Sequence, residues 1–119
     1  MKITLKQLTE SFASLGKFAN DEALSIKQKY WLSRIAGAAE KEMQAFEKHR
    51  LELVKKHGDE RDGQWTVPPA KMTAFQAEFD DLLTAEVDLP GDPIKLDTLP
   101  EAIKLTALDL TRLEWLICE

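Results

Sequence analysis

SIKQKYWLSRIAGAAEKEMQAFEKHRLELVKKHG, residues 25–58, is the stretch on which the fold turns. Its apolar residues Leu32, Ile35, Ala39, Met43, Phe46, Leu53 and Val54 recur at helical spacing, and no proline interrupts the chain before Pro68. Ser25 followed by Gln28 is a capping-box signature. Lys55, Lys56 and His57 bring cationic groups to the negative end of a helix dipole, and Gly58 supplies a left-handed closing residue. One helix of roughly 30 residues is therefore expected, about 45 Å long at 1.5 Å per residue.

The first turns of this helix, IKQKYWLSRI at residues 26–35, are also the most chemically pointed part of the chain. On a wheel with Lys27 at zero, Arg34 falls at about 340°, Tyr30 at about 300° and Trp31 at about 40°, while the apolar stripe spans about 80° to 180°. Trp31 thus stands at the margin of the stripe, where an indole covers a neighbouring helix, with Lys27 and Arg34 placed to lie over its ring. A patch of Lys27, Tyr30, Trp31 and Arg34 also fits a protein partner. Nucleic acid is disfavoured, because one pair of cations in a chain of net charge −5 makes a poor positive groove.

Upstream, Leu5, Leu8, Phe12, Leu15 and Phe18 define a first helix, capped by Thr4 with Gln7, weakened late by Gly16 and broken by NDEA at residues 20–23. Downstream, GDERDGQWTVPP at residues 58–69 reads as a surface loop with a short extended piece at QWTV. Met72, Phe75, Phe79 and Leu82 then predict a third helix with proline in its first turn, ending near Glu86. Around Pro90-Gly91-Asp92-Pro93, Val87 and Leu89 on one side and Ile94 and Leu96 on the other suggest a small two-stranded piece or an extended crossing. A wide sheet is not expected, since Pro90 and Pro93 have no N–H to donate. Thr98 with Glu101 caps a short turn, and Thr106 with Asp109 opens a final helix carrying Leu108, Leu113, Leu116 and Ile117. The sum is a mainly α fold: a helical hairpin with one long helix, two shorter packed helices and a minor extended or two-stranded element.

At 119 residues, 44% hydrophobic and 31% charged, the chain has the size and composition of one folded domain, 1–119. Its charge is unevenly spread. Residues 1–58 hold 11 Lys+Arg against 7 Asp+Glu, and residues 59–119 hold 5 against 14. A basic half (1–58), a surface loop (59–69) and an acidic half (70–119) follow; the halves either neutralise one another or steer a partner. Cys118 is the only cysteine, so no internal disulfide forms and a reducing compartment fits. The opening MKITLKQL lacks the apolar run of a signal peptide, and no run approaches a membrane span, so neither a secreted nor a membrane-embedded chain is expected.

Reactive chemistry has little to stand on. His49 and His57 have no Cys-x-x-Cys or His-Glu-x-x-His beside them, so no metal site is expected. Asp80–Asp81 and Glu86–Asp88 lack the alternating order of a calcium loop. The glycines at 16, 37, 58, 63 and 91 form no phosphate loop, and Cys118 has no histidine near it in sequence. Neither a catalytic residue nor a cofactor is expected. At the far end, Trp115, Leu116 and Ile117 must be buried on the long helix or on another chain.

The series LKQL (5–8), LSIKQKYWLSRI (24–35), EMQAFEKHRLELVKKHG (42–58), FQAEFDDLLTAEVDL (75–89), IKLDTL (94–99) and LTALDLTRLEWLI (105–117) resembles a family of small phage and prophage proteins of unknown function. Members share a Leu-Pro-Ile-Lys-like lead-in to the second helix, where this chain has Ser25 in place of the proline, and a Leu/Ile-rich acidic closing helix. The resemblance implies a viral genome context, and it carries over no catalytic residue. The expected function is a non-enzymatic protein–protein interaction module in the virion or the host cytoplasm, as a virion-assembly or structural accessory. An inhibitor of a host defence or transcription complex, acting through the acidic half, is the alternative. Expected contacts to a phage or host protein are Lys27, Tyr30, Trp31, Arg34, Asp80, Asp81, Asp88 and Trp115, with a homo-oligomer left open.

Overall fold

Three of the four cap signatures in the sequence form; the fourth, Thr98 with Glu101, does not, because Thr98 ends a 3-10 turn (Leu96–Thr98) and donates its hydroxyl to the Lys95 carbonyl at 2.6 Å. In the computed structural model, which describes residues 1–119, the Ser25 hydroxyl accepts from the Gln28 N–H at 3.2 Å while the Gln28 side chain accepts from the Ser25 N–H at 3.0 Å. Thr4 with Gln7 and Thr106 with Asp109 make the same reciprocal pair. These caps open α1 (Leu5–Ala19), α2 (Ile26–His57) and α4 (Ala107–Arg112); α3 (Pro69–Leu83) opens instead on its prolines. The architecture is mainly α, one long helix with three shorter ones and three two-stranded sheets.

The strands pair differently from the sequence expectation. Residues 87–96 do not pair with each other: β4 (Glu86–Asp88) runs antiparallel to β1 (Lys2–Thr4), with Ile3 opposite Val87, and β5 (Ile94–Lys95) runs parallel to β6 (Ile117–Cys118). Pro90 and Pro93 bar a tight ladder between β4 and β5, and Gly91, at φ +87°, turns the chain away. The two ends of the chain supply the missing partners. Met1 seals the first sheet, its ammonium donating to the Leu89 carbonyl at 2.6 Å.

Residues 59–66 are a hairpin, not a loop. β2 (Asp59–Arg61) pairs with β3 (Gln64–Thr66) across Asp62 and Gly63, whose φ values of 52° and 79° match the left-handed pair of a type I′ turn. Gly58 is likewise not a left-handed cap: its φ is −102°. It is needed because a Cβ there would meet the Val54 carbonyl oxygen and come within 2.9 Å of that of Thr66. The third helix stops at Leu83, short of the expected Glu86, because Glu86 already belongs to β4.

The core gathers at one end of the molecule. α1 gives Leu5, Leu8, Leu15 and Phe18, and α2 gives Leu32, Ile35, Ala39 and Phe46; Ile3, Leu24, Leu89, Leu113 and Leu116 complete the cluster. The final helix ends at Arg112, before Leu116 and Ile117, so Leu116 reaches the core from the turn that follows and Ile117 lies in β6, while Leu108 is left 55% exposed. Asp109 fastens this end to α1: it accepts from the Ser14 hydroxyl at 2.8 Å and from the Lys17 ammonium at 2.8 Å, besides its own cap. Trp115 donates its indole N–H to the Ser11 hydroxyl at 2.9 Å. Asp21 ties the α1–α2 link to residue 104 by accepting the Lys104 N–H at 2.7 Å. Every fully buried polar side-chain atom has a partner.

Two outcomes follow for stability. Leu116→Ala should cost about 3 kcal/mol in urea unfolding, and Leu108→Ala should stay within about 0.5 kcal/mol; the reverse order would contradict this placement of the chain end. The Lys17 ammonium, the Thr106 N–H and the Ser14 hydroxyl hold the Asp109 carboxyl well below the usual carboxylate range. With a folded pKa below the unfolded one, its contribution is present above about pH 4 and fades as pH falls further. Asp109→Ala should therefore lower Tm at pH 7, and the gap from wild type should narrow below pH 4.

Candidate functional site

The aromatic patch at the start of α2 forms as spaced, with one exception. Arg34 lies over the Trp31 ring, its Cζ 5.3 Å from the centroid, and Tyr30 meets the same ring edge-on at 5.5 Å. Trp31 does not cover a neighbouring helix. It walls a groove of about 580 Å³ between α2 and the residues around β5, with Ile35 and Ile94 alongside and Lys27 and Asp92 on the lining. Gln28 closes one side by donating to the Thr98 carbonyl at 3.1 Å. Lys27 thus stands on the groove side and takes no place over the indole.

The expected acidic contacts lie in separate surroundings. Asp80 accepts from Gln76 at 2.8 Å and lines a depression with Thr4, Lys6, Leu83 and Thr84. Asp81 lines a different one with His49, Lys56 and Glu78, and Asp88 pairs with the Met1 ammonium at 3.2 Å. Trp115 turns its indole N–H inward to Ser11 and packs half-buried against the core. No three His, Cys, Asp or Glu side chains converge as metal ligands, and no helix is long and apolar enough to cross a membrane.

A second surface arises because α2 outruns the core. Beyond Phe46 it is covered by α3 and, at the tip, by β3, and α3 contains no buried residue. The two helices are held by a ladder of rings: Phe46 to Phe79 at 5.9 Å, Phe79 to Phe75 at 5.8 Å, and Phe75 to His57 at 6.2 Å. His57 also meets Glu78 at 2.8 Å, and Lys56 pairs with the other oxygen of the same carboxylate. Lys56, then His57, holds the Glu78 carboxyl below its ordinary range. We call this α2–α3 extension, tipped by the β2–β3 hairpin, the arm.

One flank of the arm is open. At the base, α1 fills the groove between α2 and α3: Thr4 and Lys6 border Leu83 and Thr84, and Phe12, Leu15 and Gly16 border Ala36 and Gly37. Towards the tip nothing continues α1. Val54 is half-buried and outside the core cluster, Leu51 and Met72 are 45% and 43% exposed, and Trp65 stands out from the hairpin. Sequence reading missed Leu51, Trp65 and Met72 as surface residues. A signal existed: Arg50 falls near the centre of the predicted stripe, at about 140° on the same wheel, and it is occupied by a bidentate pairing with Glu47.

The molecule as a whole is elongated, 50 × 27 × 24 Å. Its radius of gyration is 17.2 Å, against about 13.5 Å for a compact chain of this length. Its accessible surface is 7903 Å², about 1,400 Å² more than the roughly 6,500 Å² expected of a monomer of 13.5 kDa. No family model, curated protein or solved structure matches the chain.

The three tryptophans report this arrangement. A Trp→Phe variant keeping only Trp31 or only Trp65 should be quenched readily by acrylamide, and one keeping only Trp115 should be shielded. Equal quenching of all three would contradict the inward setting of Trp115.

Proposed function

We propose that the protein is a non-enzymatic protein-interaction module whose working surface is the open flank of the arm. The observation that carries this reading is that α3 buries no residue against α2 and that Leu51, Trp65 and Met72 stand exposed on this extension, on a chain whose core lies at the other end. Exposed Leu51 and Met72 give it apolar anchors, and the charged residues around them supply a polar rim.

In the phage setting that the sequence resemblance implies, such a module serves as a virion-assembly or structural accessory. The inhibitor reading asks for one continuous acidic face to enter a basic channel. Asp80, Asp81 and Asp88 have separate surroundings, so we favour docking through the arm.

A photo-crosslinking amino acid tests this. Placed at Leu51 or Met72 in infected cells, it should yield discrete protein adducts, while at Ile26 and Leu108, which are as exposed or more so but lie off the arm, it should yield none. Adducts at Ile26 and Leu108 alone, or equally at all four positions, would remove the proposal.

A further inference from the structure

We propose that the groove at the start of α2 binds a guanine 5′-mononucleotide: the guanine ring lies on Trp31, its N–H edge turns to the Asp92 carboxylate, and its phosphate meets the Lys27 ammonium. This site is at the opposite end of α2 from the arm's tip and does not depend on the reading of the arm.

Two contacts fix how the walls of the groove face each other. At one end Gln28 donates to the Thr98 carbonyl at 3.1 Å. At the other, Gly91 approaches Ile35 so closely that a Cβ there would lie 3.6 Å from the Ile35 Cδ1. Residues 91–98 therefore run antiparallel to the first turns of α2. Lys27, beside Gln28, starts from one end of the groove, and Asp92, beside Gly91, starts from the other; Trp31 stands between them, one turn on from Lys27. From Lys27 to Ile35 the helix rises about 12 Å. The volume of about 580 Å³ is that of a small-ligand site.

The polar groups of the lining divide into committed and free. The Gln28 side chain also accepts from the Ser25 N–H, and the Thr98 hydroxyl donates to the Lys95 carbonyl, so both are satisfied within the chain. Lys27 and Asp92 have no ion-pair partner. Trp31 is 40% exposed, yet Arg34 and Tyr30 hold its ring, and neither of them lines the groove. The ring is thus set in place before a ligand arrives, which lowers the cost of stacking on it.

The order of cation, aromatic ring and carboxylate along the groove selects the ligand. An aromatic amino acid carries both of its charges on one carbon and cannot reach both ends. A nucleotide holds its phosphate and the far edge of its ring at opposite ends, with the stacking plane nearer the second. A carboxylate only accepts, so it favours guanine, whose ring N–H and exocyclic amine donate side by side, over adenine, whose amine sits next to an acceptor nitrogen. One ammonium matches one phosphate, whereas a strand requires a run of cations that this lining lacks.

The full-length chain is titrated with GMP, AMP and guanosine, followed by calorimetry and by tryptophan fluorescence. GMP should bind and quench, about tenfold or more tightly than either of the others. Trp31→Ala should weaken GMP about tenfold or more, and Trp65→Ala, on the hairpin, should leave it unchanged. Asp92→Asn should erase the preference for GMP over AMP, and Lys27→Ala the preference for GMP over guanosine. Both residues are exposed, so far-UV circular dichroism should show an intact fold. A chain that gives neither heat nor quenching with GMP up to about 1 mM overturns the proposal, as does equal binding of GMP and AMP by the wild type. A guanine-containing oligonucleotide that binds more tightly than GMP, with a steep loss in salt, would overturn the mononucleotide in favour of a strand.

Discussion

A helix longer than its core organises this molecule. The 32 residues of α2 rise about 48 Å, which is nearly the whole 50 Å length of the protein. The rest of the chain cannot sheathe it throughout. Its apolar stripe therefore meets two environments: Leu32, Ile35, Ala39 and Phe46 are buried, and Leu53 and Val54, further along the same face, are half-exposed. Rigid base and thinly covered arm follow from this one mismatch of length.

The base is closed by its chain ends. Residues 2–4 and 117–118 complete the strands on either side of the Pro90–Pro93 turn, and Asp109 and Trp115 lock the last quarter of the chain onto α1. Burial there is nearly free of unmet polar groups, so stability is concentrated away from the arm. The arm, by contrast, is held by a ring ladder and partly exposed ion pairs, and such pairs contribute little. This is the surface for which docking is proposed.

What could be read from sequence was what the chain decides locally. The three capping boxes formed because donor and acceptor sit three residues apart, and Arg34 found Trp31 for the same reason. Strand pairing was not legible, since β1 and β6 meet their partners from the opposite ends of the chain and each is only two or three residues long. The Asp62-Gly63 turn is legible, an Asp-Gly pair between two short extended runs. Periodicity named the residues of α2 fit for burial without saying whether enough chain remained to bury them. For that reason Leu51 and Met72 emerge only in three dimensions, and Asp80, Asp81 and Asp88, close in sequence, turn out to have different neighbours.

Amide hydrogen exchange along α2, followed at a concentration low enough to keep single chains, tests the division most directly. Residues 32–46 should exchange only through global unfolding, and residues 47–57 should exchange markedly faster through opening of the arm alone. Uniform protection from Leu32 to His57 would contradict it.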